Sequence, residues 1–189
     1  MSATLLAAPA AEPLSLAEAK AYLRVEHEAD DAVIGALVTA ARMQVEALTR
    51  CALMSQTWRF VRDVWPADGR LRLNMGPLQS IVALRTYDES GAAHVYDAAS
   101  FVLDKAALVI AAPPFALPLP GRSHAGIELD LRLGFGDGAG NVPEPLRYAL
   151  RMLVAHWYEN RGLVAIGASV AMIPSTVNAL IASYRVPAL

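Results

Sequence analysis

At 189 residues the chain suits one domain, or one domain carrying an inserted subdomain. Sixteen Lys and Arg against eighteen Asp and Glu give a net charge of -2, which excludes the clustered basic surface needed to coat nucleic acid. A lone Cys51 excludes a disulfide framework and a thiolate metal site, and 55% hydrophobic against 18% charged residues leave apolar surface for a partner or a second copy.

In chain order, the opening MSATLLAAPAAEP lacks both the positive n-region and the apolar stretch of a secretion signal. Residues 1–14 read instead as a flexible arm. Ser15-Leu16-Ala17-Glu18 is a capping box: the Ser15 hydroxyl accepts the Glu18 N–H, and the Glu18 carboxylate accepts the N–H of Ser15. The helix it starts runs to about Arg24. A second helix opens at Asp30 or Asp31, whose carboxylates suit orphan N–H groups at the positive end of the dipole. Val33, Ile34, Leu37, Val38, Ala41, Val45 and Leu48 then recur at helical spacing to about Arg50. The two helices form an αα-hairpin.

From Gln56 the period changes to two. Arg70-Leu71-Arg72-Leu73-Asn74 and Ile127 to Leu133 alternate strictly, and Thr57 to Val64, Ile81 to Tyr87 and Phe101 to Leu103 are further strands. Asp88-Glu89-Ser90-Gly91 is a hairpin turn, and Leu108 to Ile110 pairs with Phe101 to Leu103 across Asp104-Lys105. The apolar stretch Ala106 to Pro120 is broken by four prolines and is too short to span a bilayer, so no membrane segment is expected.

Pro143 or Pro145 opens a third helix, with Leu146, Ala149, Leu150, Leu153, Val154 and Trp157 as its apolar stripe. Asn160-Arg161-Gly162 closes it: Gly162 supplies a left-handed C-cap and Arg161 complements the dipole. The second and third helices pack together only if the β region is an insertion between them. The expected fold is therefore α+β. It has a helical core (15–55 and 141–162), an inserted small antiparallel β subdomain (56–140), and a C-terminal arm (163–189) with a short helix begun by Pro174.

Chemistry finds little support. Gly134 to Gly140 is a glycine-rich strand-to-helix turn, but no Gly-Lys-Ser/Thr follows, and Pro143 and Pro145 remove donors a phosphate would need. His27, His94, His124 and His156 are scattered, no GxSxG elbow exists, and Asp30 and Asp31 point about 100° apart on a helix. No catalytic residue, cofactor or metal is assigned. The last segment stands out on magnitudes. Burying Val177, Leu180, Ile181 and Tyr184 yields roughly 6–12 kcal/mol. Ordering about ten backbone residues costs roughly 10–20 kcal/mol. An isolated tail helix is marginal on those terms: it either folds back on its own domain or docks on a partner, and docking on a partner is the expectation.

Several motifs recur in a telling order. They are PLSLAEAKAYLRV with Asp30-Asp31, then AAR at 40–42, Gln56-Thr57-Trp58, Pro77 to Ile81, VPEPLRYAL, Tyr158-Glu159-Asn160-Arg161, and Leu180 to Arg185. Over nearly the whole chain from Leu14, this series resembles the head–tail connector (adaptor) proteins of long-tailed phages and gene transfer agents. The resemblance implies a structural neck component and no enzyme. About twelve copies would ring the underside of the portal protein, extend the DNA channel without sequence-specific binding, and present a surface to a stopper or tail terminator. It also implies a C-terminal arm reaching the portal, carried here onto Val170, Met172, Ile173, Val177, Leu180, Ile181, Tyr184 and Arg185. The expected location is the neck of a virion or phage-like particle, assembled in the host cytoplasm. The alternatives are a stopper or tail-completion protein, or a small-molecule-binding enzyme using the 134–140 loop.

Overall fold

The computed structural model describes residues 2–105, 109–111, 119–160, 164–165, 168–169 and 173–187. Two compact units divide the chain: a β unit (Met1–Ala10, Ser55–Phe135, Pro187–Leu189) and a helical unit (Ala11–Met54, Gly136–Val186). The β segment is inserted between two helical stretches, and the class is α+β.

In the helical unit, α1 (Leu16–Leu23) and α2 (Asp31–Thr49) form the hairpin, and α3 (Glu144–Glu159) packs on both. The contact follows from periodicity. Ile34, Val38, Ala41 and Val45 of α2 are buried, as are Leu146, Ala149, Leu150, Leu153 and Val154 of α3. The Ser15 capping box forms: Ser15 Oγ accepts the Glu18 N–H at 3.2 Å, and Glu18 Oε2 accepts the Ser15 N–H at 2.9 Å. Both α1 and α2 end at a left-handed arginine, Arg24 (φ 57°) and Arg50 (φ 58°), where glycine would be unstrained. Pro143 caps the start of α3, and Asn160 ends it by donating Nδ2–H to the His156 carbonyl at 2.8 Å. The expected caps Arg161 and Gly162 lie outside the described residues.

The β unit holds a five-stranded antiparallel sheet in the order β1 (Ser2–Ala7), β2 (Gln56–Arg62), β8 (Ile127–Leu133), β4 (Leu78–Tyr87), β5 (Ala93–Tyr96). A second sheet has β3 (Arg70–Arg72) beside β7 (Val109–Ala111) beside β6 (Val102–Asp104). The β6–β7 hairpin across Asp104-Lys105 is the one expected from sequence. Alternation puts Ile127, Leu129, Leu131 and Leu133 of β8 in the core with Phe60 and Leu84. An edge-to-face aromatic group joins Tyr96 to Trp65, His94 and Phe101.

Three expectations need correction. Ser2–Ala7 is an edge strand on β2 rather than a loose arm, although all six side chains are exposed. Backbone pairing holds it, and such pairing leaves no mark in a run of small residues. Within the expected C-terminal arm (163–189), where only a short helix was foreseen, β9 (Val164–Ala165) and β10 (Ala168–Ser169) pair antiparallel. The C-terminal helix α4 (Ser175–Ile181) belongs to the helical unit, packed on α3, and is not a separate arm.

Candidate interaction site

The C-terminal segment is where sequence and resemblance converge. Pro174 starts α4, and Val177 and Ile181, one helical turn apart, are fully buried. Two polar ties hold the residues just beyond α4. The Cys51 thiol donates to the Tyr184 carbonyl at 3.1 Å, and the Val186 N–H donates to the Thr49 carbonyl at 2.8 Å. Thr49 is itself set by donating Oγ1–H to the Val45 carbonyl at 2.7 Å while accepting the Cys51 N–H at 3.2 Å. Burial pushes the Cys51 thiol pKa up, which keeps it a protonated donor.

Val177 and Ile181 therefore hold α4 to its own unit and are not anchors for a partner in this state. The ties to Thr49 and Cys51 add to the burial of those two side chains and were absent from the balance drawn on the tail alone. Leu180, Tyr184 and Ile173 are half-buried, and Arg185 is exposed, donating to Asn178 Oδ1 at 3.1 Å. Val170 and Met172 lie outside the described residues.

The paired aspartates open α2, Asp30 at its N-cap position and Asp31 in its first turn, and both carboxylates also make tertiary contacts. Asp30 makes no side-chain cap bond and instead accepts the Tyr158 hydroxyl at 2.5 Å, which ties α2 to α3. Asp31 pairs with Lys20 at 2.6 Å, joining α1 to α2. In the 134–140 loop, the Asn141 carboxamide occupies the inner side: its Oδ1 accepts the Gly138 N–H at 3.0 Å. A Cβ at Gly136 (φ 156°) would lie 2.5 Å from that side chain. Among the described residues no cluster of His, Cys, Asp and Glu has metal-binding geometry.

One feature of the β unit was missed from sequence. On the sheet face opposite the core, Arg59 of β2 makes a two-pronged pair with Asp130 of β8 at 2.7 and 2.9 Å. Arg85 of β4 reaches Asp130 at 2.9 Å and Glu128 at 3.2 Å, and the Tyr87 hydroxyl donates to Glu128 at 2.9 Å. Burial would raise the Asp130 pKa, but Arg59 and Arg85 outweigh it and hold the carboxyl below its ordinary value. The alternation of Glu128, Asp130 and Arg132 marked the polar face; which arginines met it required the strand order.

Residues 122–185, covering β8, α3 and α4, match the family described as "Phage gp6-like head-tail connector protein". A search of curated proteins finds no match. Among solved structures the chain is similar over its full length to a chain of the "Neck of empty GTA particle computed with C6 symmetry", GTA denoting gene transfer agent. There the identity is 29%, the TM-score 0.83, and coverage 100% of this chain and 97% of that one. A chain of the "Virion of native gene transfer agent (GTA) particle" matches at 26% identity and TM-score 0.82. A third, from the "Neck of native GTA particle computed with C12 symmetry", matches at 28% and 0.80. Each match covers 100% of this chain and 97% of the other. Fold and matched segment together define a structural neck protein. The chain is thus similar to phage head–tail connector proteins over residues 122–185, and over its full length to chains of gene transfer agent necks.

Proposed function

We propose that the protein is the head–tail adaptor of a phage-like particle. About twelve copies ring the underside of the portal protein, extend the DNA channel, and offer the surface on which a stopper or tail terminator docks. The observation that carries this reading is the full-length match at TM-score 0.83 to a gene transfer agent neck chain, with a further match to a neck of C12 symmetry. The protein works in the neck as a structural part and catalyses nothing. A net charge of -2 suits a channel wall along which DNA slides without adhering.

Within this reading the C-terminal segment is the portal-facing element, and Leu180, Tyr184 and Arg185 are the residues left free to reach a partner. In cells producing particles, deletion of residues 170–189 is expected to yield DNA-filled heads without tails. The deletion also removes Val177 and Ile181, so the Tyr184→Ala/Arg185→Glu double variant, which spares the buried pair, is the sharper form. Normal tail attachment in that variant contradicts the docking role. Recovery of the chain with tail tube or terminator, and without portal, would instead favour a stopper or tail-completion protein.

A further inference from the structure

In the helical unit α2 turns its apolar stripe inward, yet it carries no charged residue on its outward side either. Its charged residues are all engaged in pairs: Arg42 is buried between Glu46 (2.8 Å) and Glu12 (2.7 Å), and Asp31 is held by Lys20. Glu46 also accepts the Leu53 N–H at 2.8 Å. The solvent side carries Ala32, Val33, Ala36, Ala40, Met43 and Ala47, an uncharged stripe about 22 Å long at the usual helical rise. Val33 is 41% exposed and Met43 59%. A surface helix of a monomer carries polar groups outward.

The same unit has a second apolar patch. Tyr22 of α1 and Tyr148 of α3 meet edge to face at 6.5 Å between centroids, and Leu16 on α1 is also exposed. α2 and α3 pack through the stripes of Ile34, Val38 and Val45 and of Leu146, Leu150 and Leu153. The α2 stripe lies on the back of α2, and Tyr148 lies on the back of α3. The two patches thus face away from one another.

We propose that these two patches are the two halves of the contact between neighbouring copies of this chain, the α2 face of one subunit receiving the Tyr22–Tyr148 pair of the next. The proposal rests on the ring reading. The matched chains come from necks computed with C6 and C12 symmetry, in which copies are related by rotation about one axis. A closed ring needs two different, complementary patches on one chain, directed apart. A twofold dimer would need only one. The alanines of α2 let another backbone approach closely, and Met43 and Val33 supply apolar area at the rim of that approach.

The test uses the full chain incubated with portal, with rings counted by electron microscopy and species weighed by native mass spectrometry. Met43→Glu and Tyr148→Glu are each expected to cut ring formation at least tenfold while the melting temperature of the free chain stays within a few degrees of wild type. Ala40→Glu, one turn away, serves if Met43→Glu fails to fold. An equimolar mixture of the Met43→Glu and Tyr148→Glu chains keeps one intact copy of each patch and is expected to give two-chain species that neither variant gives alone. Wild-type ring counts for Met43→Glu and Ala40→Glu, dimers of Tyr148→Glu by itself, or no pairs in the mixture each overturn the proposal. A wild-type chain that never rings on portal defeats the adaptor reading itself and this contact with it, an outcome told apart by the wild-type control.

Discussion

The two units of this chain dispose of their charge in opposite ways. In the β unit Arg59 and Arg85 close on Asp130 and Glu128 on the sheet face opposite the core, so these charges satisfy one another. In the helical unit the charges of α2 are paired along its packed side, and its outward side is left apolar. A surface whose polar groups are already matched offers a neighbour little to gain. An uncharged helix face offers burial at about 25 cal/mol per Å² with no ion to desolvate.

The largest way to break that contrast is to strip the sheet of its central anion. Asp130→Ala leaves Arg59 and Arg85 with Glu128 as their remaining carboxylate and is expected to lower stability by about 3 kcal/mol, read from urea denaturation. Asp130→Asn, which keeps the shape and some hydrogen bonding, should lose less. A comparable loss, about 2–4 kcal/mol, is expected for Ile181→Ala, which empties the fully buried seat of α4. Hydrogen exchange should then quicken across 174–186 while the protection of β8 is kept.

Acid sharpens the same point. The Asp130 carboxyl is depressed by Arg59 and Arg85 against the opposing effect of burial, so its contribution is fully present above the unfolded-state value of about 3.9. It is lost as pH falls through the lower folded value. Stability should stay level from neutrality to about pH 5 and then decline, and the decline should be shallower in Asp130→Asn. The smallest expected effect is a gain. Arg50→Gly relieves a left-handed residue at the end of α2 and should raise stability by about 1 kcal/mol, visible as a small rise in melting temperature.

How far the sequence carried these conclusions depended on the range of the interaction. The Ser15–Glu18 box, the α2 and α3 stripes and the β6–β7 hairpin were legible because each is set by neighbours within a few residues. β1 was not, since it is an edge strand whose pairing is with the backbone of β2, fifty residues away or more. Asp30 and Asp31 looked like caps by local rule, yet Tyr158 and Lys20 claimed them through tertiary contacts. The fold-back of α4 depended on Thr49 and Cys51, more than a hundred residues earlier in the chain. A local entropy balance could not include those ties.

The adaptor reading is tested most directly by native mass measurement of the purified chain with and without its portal protein. The account predicts a closed portal-bound ring, of about twelve copies given the C12 neck it matches. A chain that stays unbound beside portal, and instead assembles on the tail tube, would contradict it.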